Sequence, residues 1–441
     1  MTLLDLTPRA ASNDRLATLP VVIIGAGPIG LAAAAHLTER GLDFLVLESG
    51  EEAAASVRAW GHTRLFSPWR HLVDAASRRL LEARGWEAPD PDGVPNGAEL
   101  VEHYVAPLAA LDAIAPRIRY GSEVIGVTRE GMDRTRTRGR AATPFLVRFR
   151  TATGDVDEVA ARNVIDASGT YLSPNSLSSS GLELLGMGEI ADRVTPALPD
   201  VPGRDRALFA GRRTTVVGAG HSAANTLLDL VRLARSEPGT TVTWLIRNSQ
   251  AVRVSSSDDD ELAGRAQLGG RVDRAIADGS IAVLDGFEII RARRAAGAVE
   301  LVGHRRGAVL THTTDVVVNA TGFRPNLDIL REIRLDLDDI VEAPARLAPL
   351  IDPNVHSCGT VEPHGFRELT HPEQGFFIVG MKSYGRAPTF LLATGYEQVR
   401  SVTAWIAGDT ASAAHVELVL PATGVCSSDL GGGGGGGGCC S

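Results

Sequence analysis

The chain has 441 residues, 44 basic and 53 acidic side chains and a formal net charge of −9, which argues against nucleic acid as its main partner. No apolar run reaches the ~20 residues that span a bilayer, and the polar first 20 residues do not resemble a signal peptide, so we expect a cytoplasmic protein without a membrane partner. None of the four cysteines precedes Cys358, which excludes a disulfide framework.

The first glycine motif follows a predicted arm at residues 1–19. Four β-branched residues, Val21 to Ile24, predict a strand buried on both faces. In the motif that follows, Gly25 permits a tight turn, Gly27 lets the backbone approach a pyrophosphate, and Gly30 lets a helix pack close to the strand. The pattern predicts a dinucleotide site, and a glycine-rich turn without a ligand is the alternative.

The residues after the motif complete a strand–helix–strand unit. A helix beginning near Pro28 points its N-terminus at the phosphates, where free N–H groups favour an anion. A second apolar run ends at Glu48, about 20 residues on, where an acid binds the ribose hydroxyls. We therefore assign Glu48 and the adjacent Ser49 to the same site.

Two later segments are candidates for the same domain. Four residues that follow the first strand–helix–strand segment are candidates to contact the cofactor ring: Trp60, Arg64, Ser67 and Trp69. A core role for the tryptophans is the alternative. Residues 163–166 predict a strand that enters a small-residue turn, which allows close backbone approach to a dinucleotide. We assign three cofactor contacts to that turn: Ala167, Ser168 and Gly169.

A second motif of the same kind begins about 190 residues after the first. Five residues are assigned to cofactor binding there: Gly218, Gly220, His221, Ser222 and Ala223, the last replacing the third glycine. The next predicted strand ends at Arg247, and an arginine there suits a ribose 2′-phosphate, although a surface cation is the alternative. A later strand enters a turn at Thr321 and Gly322, which echoes the turn at 167–169.

The chain resembles the flavin-containing monooxygenase-like branch of flavoproteins with two dinucleotide-binding domains, over residues 18–408. The features that carry the resemblance are the two glycine motifs, Glu48 and Ala320-Thr321-Gly322-Phe323. The resemblance implies FAD at the first motif and NADPH at the second. The stretches 356–360 and 380–390 are also similar to flavoproteins encoded beside bacterial arsenic-resistance genes. That similarity implies a small-molecule substrate such as a trivalent arsenical.

The predicted fold class is α/β, with two Rossmann-like three-layer domains and the NADPH domain inserted in the FAD domain. The expected boundaries are 20–204 for the first part of the FAD domain, 205–326 for the NADPH domain and 327–410 for the second FAD part. In that last segment a strand ending in glycine and a following helix suggest three more cofactor contacts: Gly380, Met381 and Phe390.

The same segment supplies the candidate catalytic groups. Cys358, His371 and Tyr384 are the assigned residues, with His364 and Lys382 nearby. A histidine is the side chain best suited to move a proton near neutral pH. Each of these residues taken alone is more often structural than catalytic.

Residues 411–441 predict a flexible tail with an eight-glycine run. Cys426, Cys439 and Cys440 offer three thiolates, a set that suits As(III), and the vicinal pair resembles the C-terminal cysteines of mercuric reductases. The alternative is a terminal segment with incidental thiols.

Two departures from the resemblance bear on the reaction. Residues 169–211 lack the Phe-x-Gly-x-x-x-His signature of flavin monooxygenases, and the chain lacks the Cys-x-x-Cys pair of thioredoxin reductases. The leading hypothesis is an NADPH- and FAD-dependent monooxygenase-like oxidoreductase, with a role in arsenic resistance. The alternatives are a reductase of thiol-bound metalloids or disulfides, and a non-enzymatic As(III)-binding or sensing protein.

Overall fold

The computed structural model describes residues 13–247, 263–352, 363–387 and 390–418. These residues divide into two compact units. The first unit contains residues 13–173, 323–352, 363–387 and 390–418, and the second contains residues 174–247 and 263–322. The second unit is therefore inserted in the sequence of the first.

The described residues form sixteen strands, which in chain order are β1 (Val21–Ile24), β2 (Phe44–Leu47), β3 (Ile118–Arg119), β4 (Ser122–Arg129), β5 (Phe145–Thr151), β6 (Val156–Ala161), β7 (Asn163–Asp166), β8 (Val194–Pro196), β9 (Arg213–Val217), β10 (Thr241–Leu245), β11 (Ala282–Leu284), β12 (Phe287–Ala295), β13 (Ala298–Arg305), β14 (Ala308–Thr314), β15 (Val316–Asn319) and β16 (Phe376–Ile378).

The same residues form thirteen α-helices, which in chain order are α1 (Asn13–Thr18), α2 (Pro28–Glu39), α3 (Ala55–Ala59), α4 (Ala75–Glu82), α5 (Gly97–Leu100), α6 (Ala106–Ala109), α7 (Met187–Ile190), α8 (Arg206–Phe209), α9 (His221–Ala234), α10 (Ala263–Ala277), α11 (Ala348–Ile351), α12 (Leu392–Ile406) and α13 (Thr410–Ala414).

The first unit is built around a parallel sheet with the strand order β16-β7-β1-β2-β3. Val21 and Ile23 point into a core shared with α2 and α12, whereas Val22 and Ile24 pack against the antiparallel sheet β4-β5-β6. Because both faces are covered, β1 is apolar at every position, as its sequence predicts. The unit has three layers, with helices, a parallel sheet and an antiparallel sheet.

The second unit repeats this plan. Its parallel sheet has the order β11-β10-β9-β15-β8, and α9 packs against β9, β10 and α10. Val217, Leu245 and Val317 share a core with residues of the antiparallel sheet β12-β13-β14. The predicted fold class, two Rossmann-like three-layer units with one inserted in the other, is confirmed.

A buried ion cluster joins distant parts of the first unit. Glu373, which precedes β16, accepts hydrogen bonds from Arg129 of β4 at 2.8 Å and from Arg140 at 2.9 Å. All three side chains are at most 5% exposed. Burial by itself raises the pKa of Glu373, but the two guanidinium groups outweigh it and hold that pKa below its ordinary value. The cluster ties the β4–β5 region to the segment that leads into β16.

Three boundaries differ from the sequence-based expectations. The second unit begins at residue 174 rather than 205, because β8 pairs with β15 at the edge of its sheet, and it ends at 322 rather than 326. The predicted arm contains α1. The expected tail begins later than residue 411, because α13 and the residues that follow it pack on α12, where Arg400 donates to the carbonyl of Ser412 at 2.8 Å.

Candidate functional site

The first glycine motif has the close contacts that its sequence predicts. Gly25 has a φ of +99°, and a Cβ atom there would lie 2.9 Å from the carbonyl oxygen of Ala167. A Cβ atom on Gly30 would lie 1.9 Å from the carbonyl oxygen of Gly25, so no larger residue fits without opening the turn. The Cβ position of Gly27 has no atom within 4 Å, which leaves its backbone open to a ligand.

Both long helices after the glycine motifs have N-termini without a capping side chain. Gly27 precedes α2 and Gly220 precedes α9, and neither helix has an acidic residue in its first turn. The positive ends of the helix dipoles are therefore not compensated locally, which is the arrangement that favours a pyrophosphate. Pro28 at the start of α2 has no N–H to satisfy there, and His221 and Ser222 form the first turn of α9.

Glu48 lies beside the first motif, as predicted. Its side chain is buried, and its carboxylate accepts hydrogen bonds from the N–H of Ala26 at 2.6 Å and of Gly50 at 2.8 Å. The hydroxyl of Ser49 donates to the same carboxylate at 3.4 Å. This geometry fixes the acid at the carboxyl end of β2, next to the turn that would receive the dinucleotide.

The small-residue turn after β7 contains a buried ion pair that sequence reasoning did not predict. The carboxylate of Asp166 accepts from the hydroxyl of Ser168 at 2.7 Å and from the ammonium group of Lys382 at 2.7 Å. Both members of the ion pair have fully buried side chains. The charge of Lys382, a residue noted near the candidate catalytic groups, thus holds the turn at Ala167, Ser168 and Gly169. The sequence signal that was overlooked is an acid at the end of a buried strand.

The later part of the first unit, from residue 323 onwards, is called the return segment, and it packs directly on the first motif. Cβ atoms on Gly380 and Gly395 would lie 3.1 Å and 2.5 Å from side-chain atoms of Ile29, so both glycines allow this approach. The N–H of Gly380 donates to Gln398 of α12 at 2.7 Å, and the amide nitrogen of Gln398 lies 2.9 Å from Nε2 of His364. Sequence reasoning missed Gln398, although a fully buried polar residue within α12 is a recognisable signal of such a bond.

Three other predicted residues of the return segment lie near this contact. Tyr384 is buried between the rings of Phe390, at 5.1 Å, and His364, at 5.8 Å, and burial raises the pKa of its hydroxyl above the ordinary value. Met381 is half-buried in a short 3-10 helix, Gly380–Tyr384, rather than at the end of a strand. The catalytic assignment of Tyr384 stays a prediction.

The structure does not bring His371 to this end of the sheet. It lies five residues before β16, at the amino ends of the parallel strands, whereas the glycine motif follows the carboxyl end of β1. His371 is therefore separated from the glycine motif, and its catalytic assignment stays a prediction. Cys358 lies outside the described residues.

The residues proposed to contact the cofactor ring, which follow the first strand–helix–strand segment, lie in different environments. Trp69 is 6% exposed and belongs to the core, which was the alternative interpretation. Trp60 packs so closely on Gly97 that a Cβ atom there would lie 2.8 Å from its ring. Arg64 is exposed and forms an isolated bridge with Asn96. Contacts of Trp60 and Arg64 with a cofactor stay predictions.

The second motif reproduces the first in the second unit. Gly218 has a φ of +132°, and a Cβ atom there would lie 2.1 Å from the carbonyl oxygen of Ala320. The Cβ position of Gly220 is open, and Ala223 is fully buried. In the turn after β15 the hydroxyl of Thr321 donates to Asn319 at 2.6 Å, and Gly322 follows with a φ of +92°.

Arg247 lies where the sequence places it, just after β10. Its side chain is exposed and donates to the carbonyl oxygen of Ser179 at 3.3 Å. The ring N–H of Trp244 in β10 donates to the carbonyl oxygen of Gly218 at 2.6 Å, which ties this strand to the glycine turn. The guanidinium therefore stands at the edge of the second candidate site, one residue beyond the position that corresponds to Glu48 in the first.

Neither a metal cluster nor a membrane span is found in the part of the chain that the structure describes. There, no group of three or more His, Cys, Asp or Glu side chains is arranged to hold a metal ion, and no helix is long and apolar enough to cross a bilayer. The proposed As(III) ligands Cys426, Cys439 and Cys440 lie outside the described residues.

Solved structures with the same fold include enzymes of two kinds. The chain is 19% identical to the bacillithiol disulfide reductase Bdr (YpdA) from Bacillus cereus, with a TM-score of 0.65 over 88% of this chain and 99% of that one. It is 15% identical to DfoA, an FAD-bound cadaverine monooxygenase from Erwinia amylovora, with a TM-score of 0.62 over 92% and 98% of the two chains. At these identities the likeness shows the fold.

Sequence comparisons identify the family. Indole-3-pyruvate monooxygenase YUCCA1 from Oryza sativa subsp. japonica is 27% identical over 230 residues, which are 48% of this chain and only 45% of the rice protein. The profile of the pyridine nucleotide-disulphide oxidoreductase family matches residues 22–131 and 146–357, well over half of the chain. The resemblance to flavoproteins with two dinucleotide-binding domains is thereby confirmed, and the chain belongs to the pyridine nucleotide-disulphide oxidoreductase family.

Proposed function

We propose that this protein is an NADPH-oxidising, FAD-dependent oxidoreductase that acts on a small molecule. The observation that carries the proposal is the repetition of one dinucleotide-binding geometry in two units. In both, the first glycine packs on the turn after a neighbouring strand, and an uncapped helix begins after an open glycine. Two sites of this kind suit an enzyme that passes a hydride between two dinucleotides.

The residues of the first unit fit FAD. The open backbone at Gly27 and the N-terminus of α2 accept the pyrophosphate, and Glu48 at the end of β2 suits the ribose hydroxyls. The turn at Ala167 to Gly169, fixed by Asp166 and Lys382, forms the neighbouring wall. A bound flavin would supply the redox chemistry, and the protein groups would bind and orient it.

The residues of the second unit fit NADPH. Gly220 and the start of α9 suit the pyrophosphate, and Arg247 suits the 2′-phosphate because a guanidinium binds phosphate oxygens through paired hydrogen bonds. The exposed position of Arg247 leaves its side chain accessible to such a ligand.

Oxygen transfer is the reaction that we favour for the reduced enzyme. The inserted unit, residues 174–322, contains no cysteine, and all four cysteines of the chain lie at position 358 or later. A disulfide-reducing pair of the thioredoxin reductase kind is therefore missing from that unit. A reductase that uses the C-terminal cysteines is the second candidate, since solved structures with the same fold include enzymes of both kinds.

The experiment is NADPH oxidation by the FAD-loaded full chain, followed together with oxygen uptake and peroxide release. A monooxygenase consumes oxygen in step with its substrate and releases little peroxide, and trivalent arsenicals are the first substrates to test. Turnover that continues without oxygen and stops in a Cys439→Ser/Cys440→Ser variant would identify the reductase. Protein that retains no flavin and oxidises no NADPH would contradict both.

Arsenic resistance stays the narrower form of the proposal. Its support is the sequence similarity at 356–360 and 380–390 and the three C-terminal cysteines, which lie outside the described residues. Tight As(III) binding with negligible NADPH turnover would favour the non-enzymatic sensing alternative.

A further inference from the structure

The first unit contains a cavity of about 680 Å³ at the amino ends of β7 and β16. It is lined by residues of α1, the start of β7, the segment before β16 and the end of α12. The glycine motif lies past the carboxyl ends of the same parallel sheet, and β7 by itself is about 13 Å long at 3.3 Å per residue. The cavity is thus a separate place in the unit, and its volume suits a small ligand.

His371 provides a hydrogen-bond donor in the wall of this cavity. Its side chain is 8% exposed, and its Nδ1 accepts the N–H of Asp336 at 3.2 Å. Burial lowers the pKa of His371 to about 4, so the ring is neutral at pH 7. Because Nδ1 accepts, the single ring proton resides on Nε2, and this buried atom has no hydrogen-bond partner among the described residues. A buried donor of this kind is expected to have a partner in the functional state.

Arg162 provides a second unsatisfied donor, together with a positive charge. Its buried Nε has no hydrogen-bond partner among the described residues, and no carboxylate of those residues lies within ion-pair distance, although Asp43 attracts its charge. The other charged residue in the wall is Glu373, whose carboxylate is already bound by Arg129 and Arg140. Among the described residues of the wall, Arg162 therefore has a charge without an ion pair, and the carboxylate of Asp43 attracts it from outside the wall.

The rest of the wall combines the polar residues Asn163, Thr370 and Gln374 with apolar side chains. Leu16, Phe376, Trp405 and Ile406 line it, and Trp405 is 40% exposed with its ring stacked on Phe366 at 4.5 Å. We propose that this cavity is a second ligand site, which binds a small organic carboxylate with an aromatic or branched apolar body. The carboxylate would pair with the guanidinium group of Arg162 beside His371, and the apolar body would pack on Trp405 and its neighbours.

The test is isothermal titration of the full-length, FAD-loaded protein with 3-phenylpropionate and, separately, with its neutral analogue 3-phenylpropanamide, both in the presence of saturating NADP⁺. We expect saturable binding of the carboxylate and binding of the amide that is at least about tenfold weaker, because a charge-assisted hydrogen bond is lost. Arg162→Gln should weaken carboxylate binding by about tenfold or more. Arg138→Gln, at an exposed arginine outside the cavity, should leave it unchanged.

A second pair of variants tests the location without removing a charge. Ala17 of α1 lines the cavity and is exposed, whereas the adjacent exposed Thr18 does not line it. Ala17→Trp should block carboxylate binding, and Thr18→Trp should preserve it. The proposal is overturned if 3-phenylpropionate shows no saturable binding, if the amide binds equally well, or if Arg162→Gln and Ala17→Trp both bind it like the unmodified protein.

Discussion

The turns that follow β7 and β15 have the same hydrogen bonds but a different charge. In the first unit the hydroxyl of Ser168 donates to Asp166 at 2.7 Å, and in the second the hydroxyl of Thr321 donates to Asn319 at 2.6 Å. The backbone N–H of each hydroxyl residue donates to the same side chain, at 3.1 Å and 3.3 Å. The difference is the neighbour, since Asp166 faces Lys382 and Asn319 donates to the carbonyl oxygen of Asn175 at 2.9 Å.

The turn geometry therefore needs an acceptor at this position and not a charge. A carboxylate or an amide oxygen can serve, and the partner on the far side decides between them. Lys382 comes from the return segment, which only the first unit contains. A difference in charge is also seen after the strand that follows each glycine motif, where Glu48 comes directly after β2 and Arg247 lies two residues after β10. We infer that the ligand decides the charge there.

The largest expected effect comes from exchanging the third residue of each glycine motif. Gly30→Ala places a methyl group 1.9 Å from the carbonyl oxygen of Gly25, so the turn must open and FAD should be lost on purification. The opposite change, Ala223→Gly, should cost about 1 kcal/mol and leave FAD in place. Flavin absorbance and thermal unfolding measure both. Full flavin retention in Gly30→Ala would show that the close packing is not needed.

The next effect concerns the two turns. Asp166→Asn leaves the fully buried Lys382 without a counter-charge, and we expect a loss of about 3 kcal/mol or more in the free energy of unfolding. Asn319→Asp loses one hydrogen bond and places a carboxylate near a carbonyl oxygen. We expect it to lower the free energy of unfolding by about 1–3 kcal/mol.

Denaturant unfolding gives both values, and the double variant Asp166→Asn/Lys382→Met is the control. It should recover part of the loss, because no charge is then left buried. Equal effects of Asp166→Asn and Asn319→Asp would contradict the role of the ion pair.

A third prediction compares ion pairs of the two units. Glu373→Gln leaves two buried guanidinium groups unpaired and should cost about 3 kcal/mol. Asp315→Asn breaks a pair with Arg213 whose side chains are 26% and 50% exposed, and it should cost less than about 1 kcal/mol. Chemical denaturation at pH 7 measures the free energy of unfolding of both variants. Similar losses of stability would contradict the idea that burial makes the Glu373 ion pairs more important.

The same cluster predicts a dependence of stability on pH. The folded state holds the pKa of Glu373 below its ordinary value, so its contribution is fully present above the unfolded-state pKa of about 4.3. It is lost as the pH falls through the lower folded-state pKa. The unmodified protein should therefore lose stability more steeply than Glu373→Gln below about pH 4. If the free energy of unfolding falls with pH at the same rate in the two proteins, Glu373 is not a major source of the acid sensitivity.

The smallest expected effect is on cofactor choice. Arg247→Gln should raise the KM for NADPH by about tenfold and leave the KM for NADH nearly unchanged, because only NADPH has the 2′-phosphate. Arg235→Gln, an exposed arginine at the end of α9 in the same unit, is the matched control. Steady-state kinetics with both nucleotides measure the ratio of the two KM values. Equal changes in the KM for NADPH and for NADH would show that Arg247 does not recognise the 2′-phosphate.

The sequence by itself determined both glycine motifs, the acid or arginine at each second strand and the three-layer class. These features are local, because each motif occupies one turn and its adjoining helix and strand, where steric limits act between near neighbours. Gly25, Gly30 and Gly218 have the contacts that their motif implies.

Only the tertiary structure decided how distant segments meet. Glu373 lies 244 residues from Arg129, and Lys382 lies 216 residues from Asp166, and no periodicity in the sequence records such pairs. The start of the second unit depended on β8 pairing with β15, and the place of His371 depended on which end of a parallel sheet its segment enters. These outcomes follow from packing and desolvation over the whole unit, because burial makes a charge costly until a partner from elsewhere in the chain reaches it.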